Sequence, residues 1–197
     1  DISRRLEKDV QLIIEGEDTE ADKNIIESLA EPLIHIVRNS LDHGIESPEV
    51  RQAQGKSTTG TLTIRASQEA DRVMIEIHDD GKGINPDVIR EKAFEKGLID
   101  DATRQRITDK EAVNLVLMPG FSTAEEVSDL SGRGVGMDAV RSAVDKVNGT
   151  MALESEVGKG TRIRISLPMS IAVTRVMIVE SDEQLMGIPM DQVLETV

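Results

Sequence analysis

The chain has 197 residues, of which 38% are hydrophobic, so it can form one core domain of about 150 residues with a further fragment. It contains no cysteine, which excludes disulfides, thiol catalysis and cysteine-based zinc sites. The net charge of −14 argues against nucleic-acid binding and means that an anionic ligand would need a cation and well-placed donors. No apolar run approaches a membrane span and no signal peptide is apparent, so we expect a cytoplasmic protein without membrane insertion.

Hydrophobic periodicity predicts strands interleaved with helices in chain order. The first half is predicted to contain a strand, a long helix, a short helix and a hairpin, at Val10–Ile14, Asp22–Gly44, Ser47–Gln54, Thr61–Ser67 and Arg72–His78. The second half is predicted to contain three helices and a second hairpin, at Pro86–Lys96, Asp109–Leu117, Gly134–Val147, Thr150–Glu156 and Thr161–Leu167. Two more strands, Arg175–Val179 and Leu185–Ile188, are assigned to a different module. The hairpins favour an α+β fold, a two-layer α/β sandwich in which helices cover one face of a mixed sheet.

The long helix carries two contrasting faces. Its apolar positions predict a buried stripe, made of Leu33, Val37 and Leu41 and widened by Ile34 and Ile36. His35, Asn39 and His43 recur every four residues and therefore stack along the other flank. Each of these side chains can bind a metal, bind a water on a metal, or take part in proton transfer. A hydrogen-bonded pair at the edge of the core is the alternative that the helix alone leaves open.

Two familiar phosphate-binding motifs do not fit this sequence. Gly55-Lys56-Ser57 ends like a P-loop, but Val50 stands where that motif requires glycine. The glycines at 132, 134 and 136 have the wrong spacing for a dinucleotide fingerprint, and they follow a loop rather than a strand. Neither a P-loop nor a dinucleotide-binding turn is therefore expected.

The loop that follows the second strand of the first hairpin is a stronger candidate for a ligand site. It begins with Asp79-Asp80-Gly81 and continues to Gly83 and Ile84. A carboxylate at a strand end can accept a hydrogen bond from an exocyclic amine, and glycines let a flat ring approach the backbone. A simple turn, in which Asp and Gly are common, is the alternative.

A second glycine-rich stretch, Gly132–Asp138, opens a predicted helix. Exposed backbone N–H groups at a helix N-terminus suit phosphates, although a flexible linker would have the same composition. The polar segment Phe121–Ser131 precedes it and is a candidate lid. Gly158-Lys159-Gly160-Thr161 lies in the second hairpin and would alone indicate a turn.

The order of these motifs is more informative than any one of them. A helix with His and Asn, then Asp-x-Gly-x-Gly, Phe-Ser-Thr, Gly-x-Gly-x-Gly and Gly-x-Gly-Thr resembles the N, G1, F, G2 and G3 boxes of the GHKL (Bergerat) ATP-binding fold. The stretches His35–Gly44, Pro119–Thr123, Ser131–Asp138 and Leu167–Ser170 narrow the resemblance to the CheA family of chemotaxis sensor histidine kinases. It implies a remnant of a dimerisation helix at 1–8, a kinase domain at 9–168 and the start of a truncated CheW-like regulatory domain at 169–197.

The resemblance also implies ATP and Mg²⁺ as cofactors. His35 and Asn39 are the implied catalytic residues, and Asn39 and His43 the implied metal ligands. His35 stands where the ATPases of the superfamily carry a catalytic glutamate. The implied nucleotide contacts come from all the motifs: Asn39, Asp42, His43, Asp79, Gly81, Gly83, Ile84, Phe121, Ser122, Gly132, Arg133, Gly134, Val135, Gly136, Met137 and Thr161. Asp79 would accept from adenine N6, Thr161 would act through adenine-side waters, and the glycines at 132, 134 and 136 would surround the phosphates.

The implied activity is transfer of the ATP γ-phosphate to a histidine. His35 and His43 belong to the site helix, and His78 ends a strand beside Asp79, so the acceptor is expected on a phosphotransfer domain of the same kinase outside this chain. Response regulators would bind through that domain, and a CheW-type coupling protein and chemoreceptors through the regulatory domain. We expect a monomeric fragment of a homodimeric kinase that also hydrolyses ATP slowly.

Three alternatives are weighed against this interpretation. A GHKL ATPase of the gyrase, Hsp90 or MutL type would want a carboxylate at position 35. An anti-sigma-factor serine kinase is disfavoured by Asp42-His43-Gly44 and by the C-terminal module. A non-catalytic nucleotide-sensing scaffold module would bind ATP without phosphotransfer.

Overall fold

The computed structural model describes residues 8–16, 19–122 and 136–169, together with the backbone of 176–181 and 184–189. The strands in these ranges are β1 (Val10–Glu15), β2 (Gly60–Glu69), β3 (Arg72–Asp79), β4 (Thr150–Glu156), β5 (Gly160–Pro168), β6 (Val176–Ser181) and β7 (Gln184–Pro189). The helices are α1 (Lys23–Asn39), α2 (Pro48–Ala53), α3 (Pro86–Glu95), α4 (Asp101–Arg106), α5 (Asp109–Asn114) and α6 (Met137–Lys146). A π-helical turn, Ser40–Gly44, follows α1, and a 3₁₀ turn, Leu115–Leu117, follows α5.

Five strands form one mixed sheet in the order β1-β2-β3-β5-β4. β1 and β2 are parallel, whereas the other neighbours are antiparallel. Alternate residues of β3 are buried towards the helices, and on the other face Glu76 pairs with Arg162 and Arg164 at 3.3 and 3.2 Å. This alternation confirms the predicted sandwich with helices on one face of the sheet.

The strands β6 and β7 form a separate antiparallel pair. They coincide with the two strands predicted near the C-terminus. Their assignment to a regulatory domain stays a prediction, as does the domain division at 168. Apart from Lys8, the predicted helix remnant at 1–8 lies outside the described residues.

Helix α1 begins where its sequence predicts. The Asp22 carboxylate caps it by accepting from the backbone N–H groups of Asn24 and Ile25 at 2.8 and 3.3 Å.

The apolar face predicted for α1 is only partly right. Ile36 is buried, but Ile34 is 53% exposed. Ile34 lies beside a cavity that Leu33 and Val37 and the sheet residues Ile64, Ile75 and Ile77 also line, so its side chain stays partly open to solvent.

Two other predictions along the chain require correction. The helix predicted from Gly134 begins at Met137, because Gly136 has an extended conformation (φ −85°, ψ 178°) at its N-cap. Helix α4 was not predicted, because Ala102 is the one apolar residue among its six and the segment therefore shows no helical period. The Asp100 carboxylate caps it by accepting from the Thr103 N–H at 2.7 Å. None of the helices in the described part of the chain is long and apolar enough to cross a membrane.

Candidate nucleotide-binding site

A cavity of about 330 Å³ lies between α1, its π-helical turn and the ends of β3, β4 and β5. Its volume is in the range typical of small-molecule sites. The lining residues come from every motif that the structure describes: His35, Ile36, Arg38, Asn39, Ser40, Asp42, His43, Gly44, Asp79, Lys82, Gly83, Ile84, Val116, Phe121, Ser122, Gly136, Met137, Leu153, Thr161 and Ile163. The fold therefore assembles in one place residues that are more than 100 positions apart in the sequence.

Asp79 is the buried acid of this cavity, with an exposed fraction of 3%. Its Oδ2 atom accepts from the Ser40 hydroxyl at 2.9 Å, and its Oδ1 atom accepts from the Gly81 N–H at 3.0 Å. Burial raises the pKa of Asp79 above its ordinary value, although these hydrogen bonds oppose the shift. The Thr161 backbone N–H also acts on this carboxylate, and its remaining lone-pair capacity allows Asp79 to accept from a ligand amine.

A pair of hydroxyl groups lies near the same strand ends. The oxygens of Ser155 and Thr161 are 2.9 Å apart, and the Ile84 N–H donates to Ser155 Oγ at 2.8 Å. Thr161 is also the residue paired with Asp79 between β3 and β5. Ser155, which the sequence did not single out, thus links the predicted site residues Ile84 and Thr161.

The glycines of the Asp79 loop have a packing function that the sequence did not indicate. A Cβ atom on Gly81 would lie 2.1 Å from the Gly44 carbonyl oxygen. Gly83 has a φ of +72°, and a Cβ atom there would lie 2.2 Å from the Glu156 carbonyl oxygen. Gly83 lines the cavity, but Gly81 does not. Contact between Gly81 and a nucleotide stays a prediction.

The polar stripe of α1 faces the other part of the cavity. The Asn39 amide nitrogen lies 3.4 Å from His35 Nε2 and 3.3 Å from the Met137 sulfur. No described residue donates a hydrogen bond to the Asn39 amide oxygen, which leaves it available to a ligand. Burial, aided by the charge of Arg38, lowers the pKa of His35, so its imidazole is neutral over a wider pH range.

The residues of this cavity fit a magnesium ion only if it arrives with phosphate. Among the described residues, no group of three or more His, Cys, Asp or Glu side chains can hold a metal. Mg²⁺ commonly keeps several waters and takes one or two protein oxygens together with substrate phosphates. The amide oxygen of Asn39 meets that requirement. Asp42 and His43 also line the cavity, and their contact with metal or phosphate stays a prediction.

The Phe-Ser-Thr motif is anchored beside the cavity. Phe121 is 5% exposed and packs with Ile89 and Ala93. The ammonium groups of Lys92 and Lys96 lie 5.3 and 5.4 Å from the centre of its ring, and Lys96 also donates to the Phe121 carbonyl oxygen. These contacts fix the backbone at the start of the predicted lid.

The two described ends of the predicted lid and phosphate loop lie close together. A Cβ atom on Gly136 would lie 3.1 Å from Ser122 Cβ. The predicted phosphate-contacting residues Gly132, Arg133, Gly134 and Val135 lie outside the described residues, whereas Ser122, Gly136 and Met137 line the cavity.

Several lining residues were missed by reasoning from the sequence. Ser40 lies four residues after the buried Ile36 and therefore on the same face of the helix. A polar residue on a buried face could have indicated a site residue. Arg38 and Lys82 supply positive charge, but lone cations in a charged sequence are not distinctive. The apolar wall is made of Val116, Leu153 and Ile163, which resemble any other core residues in the sequence.

The sandwich, the acid at the end of β3 and the His-Asn stripe define an ATP-binding domain of the GHKL class. A family model described as "Histidine kinase-, DNA gyrase B-, and HSP90-like ATPase" matches residues 28–171, and the chain belongs to this family. It is 48% identical over 197 residues to the "Sensor histidine kinase CheAY" of Helicobacter pylori, covering all of this chain and 24% of that protein. It is 49% identical over 197 residues to the "Chemotaxis protein CheA" of Borreliella burgdorferi, covering all of this chain and 22% of that protein. The chain thus spans about a quarter of the length of these relatives.

Solved structures of other histidine kinases are also similar. The catalytic domain of histidine kinase ThkA is 18% identical with a TM-score of 0.44, and the similarity covers 84% of this chain and 82% of that one. The blue-light activated histidine kinase of Erythrobacter litoralis EL346 is 16% identical with a TM-score of 0.47, covering 87% of this chain and 38% of that one.

Proposed function

We propose that the chain is the catalytic domain of a chemotaxis histidine kinase, which transfers the γ-phosphate of ATP to a histidine on a separate phosphotransfer domain. The observation that carries the proposal is the position of Asp79, buried at one part of a cavity whose other part is lined by His35 and Asn39. Asp79 accepts from the adenine amine, and the Ser155–Thr161 hydroxyl pair holds the waters beside it. The ring lies against the apolar wall of the cavity.

The phosphate end of the site is organised by α1. Asn39 would hold Mg²⁺ through its amide oxygen, because its amide nitrogen is directed towards His35 and Met137. When bound, Mg²⁺ would supply positive charge that neutralises charge developing on the phosphates. Arg38 and Lys82, both at the cavity wall, add positive charge in a chain of net charge −14. Phosphoryl transfer depends mainly on such positioning and charge neutralisation.

His35 supports a kinase rather than a GHKL ATPase. An ATPase of this class would carry a carboxylate at this position to activate water, whereas His35 places there an imidazole that burial keeps neutral. A neutral His35 can instead accept from the Asn39 amide and orient the metal ligand. Water is then activated poorly, and the phosphate is kept for another acceptor.

The partners belong to the same proposal. The acceptor is a phosphotransfer domain outside this chain, response regulators receive the phosphate from it, and the full-length kinase is a cytoplasmic homodimer. The segment 169–197 begins a regulatory domain for a CheW-type coupling protein and chemoreceptors. The Borreliella burgdorferi relative, which is named a chemotaxis protein and matches the whole chain at 49% identity, supports this assignment.

Phosphotransfer in trans tests the proposal. When the chain is incubated with Mg²⁺, γ-labelled ATP and a histidine phosphotransfer domain of a chemotaxis kinase, we expect the label on that domain. A version of the domain without its acceptor histidine is the control and should stay unlabelled. ATP binding without any transfer would favour the scaffold module, and rapid release of labelled phosphate without transfer would favour the ATPase.

A further inference from the structure

Two buried and two partly exposed charged side chains form what we call the buried ionic cluster, beneath the Asp79 loop, and none of them is among the predicted nucleotide contacts. The cluster consists of Glu46, Arg51, Lys56 and Asp80. Arg51 and Glu46 are 1% and 8% exposed. Arg51 Nη1 donates to Glu46 Oε1 at 3.1 Å, and Arg51 Nη2 donates to Asp80 Oδ2 at 3.0 Å. Lys56 Nζ donates to Glu46 Oε2 at 2.8 Å.

The cations of this buried ionic cluster donate to backbone carbonyls as well as to the carboxylates. Lys56 uses all three of its N–H donors, because it also reaches the carbonyl oxygens of Asp80 and Gly81 at 3.0 and 2.9 Å. Arg51 adds bonds to the carbonyls of Asp80 and Ser57 at 3.2 and 2.6 Å. Two cations therefore face two carboxylates, and their other hydrogen bonds go to backbone carbonyls of two loops, at Asp80 and Gly81 in the Asp79 loop and at Ser57 in the loop after α2.

Glu46 is ionised in this environment. Burial acts to raise its pKa, but the hydrogen bond from Lys56 and the charges of Lys56 and Arg51 bring the pKa below its ordinary value. A charged Glu46 holds both cations in place. The bonds from Lys56 to the loop carbonyls are thus part of a fixed arrangement rather than of a mobile surface lysine.

The same cluster is connected to Asp79 through a single residue. Lys56 holds the Gly81 carbonyl, and the Gly81 N–H donates to Asp79 Oδ1 at 3.0 Å. The loop is also restrained on its other side, where the Lys82 N–H donates to the Gly44 carbonyl at 2.8 Å. Because a Cβ on Gly81 would clash with that carbonyl, the loop and the π-helical turn are in close contact. The direction of the Asp79 carboxylate therefore depends on the position of Gly81.

We infer that Lys56 is a positioning residue for recognition of the adenine amine, acting through the Gly81 peptide on the Asp79 carboxylate. The inference rests on the proposed function. It assigns a role to the Gly55-Lys56-Ser57 stretch, which resembles the end of a P-loop but holds backbone carbonyls instead of phosphates. Neighbouring Asp80 is fixed by the same cations, and its Oδ1 atom accepts from the Thr61 N–H at 2.8 Å.

Recognition of the amine can be measured apart from general affinity. The ratio of the dissociation constant of purine riboside triphosphate, which lacks the exocyclic amine, to that of ATP reports the hydrogen bond that Asp79 accepts. For the wild-type chain this ratio should be roughly 10 to 100, as expected for a bond to a charged group. Lys56→Met should lower it several-fold, and Lys56→Arg should restore most of it. Lys110→Met, at an exposed position of α5, is the matched control and should leave it unchanged.

The titrations are made at a temperature where circular dichroism shows each variant folded, with Glu46→Gln as a second, milder disruption of the cluster. If Lys56 has a purely structural role, Lys56→Met should have a lower melting temperature but the wild-type ratio of dissociation constants. That result would overturn the inference about Lys56 and leave the proposed function standing. A wild-type ratio near one would overturn the assignment of Asp79 and the inference with it. A reduced ratio in both Lys56→Met and Glu46→Gln, with rescue by Lys56→Arg, is the expected result.

Discussion

Asp79→Asn should weaken ATP binding by roughly 10- to 100-fold and leave the protein at least as stable as the wild type. The carboxylate can accept the adenine amine on either oxygen, whereas an asparagine oriented by the Gly81 N–H turns its amide nitrogen towards Ser40. The Ser40 hydroxyl can accept from that nitrogen, so the local hydrogen bonds survive the substitution. Only the negative charge and one acceptor are lost.

The expected gain in stability follows from the raised pKa of Asp79. A group whose pKa is higher in the folded than in the unfolded state contributes stability below its unfolded pKa, and that contribution is lost as the pH rises through the folded pKa. Burial raises the pKa of Asp79, so the ionised form opposes folding at neutral pH. Asp79→Asn removes this penalty. Its advantage over the wild type should be present at neutral pH and vanish below about pH 4, near the unfolded pKa of an aspartate.

Calorimetric titration with Mg-ATP and urea unfolding across this pH range test both parts of the prediction. Asp71→Asn is the matched control, since Asp71 is an exposed aspartate at the turn between β2 and β3. Unchanged ATP affinity in Asp79→Asn would make Asp79 a turn residue and overturn its assignment to the adenine amine. A variant with weaker ATP binding and lower stability would show that the charge supports the fold as well.

The sequence predicted the sandwich well because local patterns and the fold agree there. The hairpin strands alternate strictly, and the side chain of Asp22 caps α1 through bonds to the backbone two and three residues later. Asp79, Asn39 and Thr161, which the motifs singled out, lie at strand ends or on one helical flank and line the same cavity. Such features depend on residues close in the sequence, which is why reasoning from the sequence reaches them.

The parts that were missed depend on contacts between distant residues. The π-helical turn brings Ser40 to Asp79, a pair separated by 39 residues, and no periodic pattern indicates such a turn. The buried ionic cluster joins α2 to the end of β3, and its Arg51 and Lys56 look like ordinary surface charges in the sequence. A sequence with 30% charged residues offers no signal for which of them is buried.

Arg51→Met should reduce the free energy of unfolding by about 3–5 kcal/mol, as when one partner of a buried ion pair is removed. Methionine fills much of the volume, but it leaves Glu46 with one cation instead of two and leaves the Ser57 carbonyl without its donor. For a chain of this size, the loss corresponds to a fall in Tm of roughly 6 to 20 °C. Arg141→Met, at an exposed position of α6, is the control and should change stability little.

The pH dependence of Arg51→Met identifies the buried charge as the cause. The pKa of Glu46 is lowered in the folded protein, so its contribution to stability is present above the unfolded glutamate value of about 4.3 and is lost as the pH falls through the folded pKa. Since the variant lacks one of the two cations that lower this pKa, its deficit relative to the wild type should narrow below about pH 4 in urea unfolding experiments. If the difference in free energy of unfolding between the variant and the wild type is the same at pH 3 and pH 7, the loss of stability comes from packing and not from the charge of Glu46. A deficit below about 1 kcal/mol would mean that Lys56 alone satisfies Glu46 and that the guanidinium is dispensable for the fold.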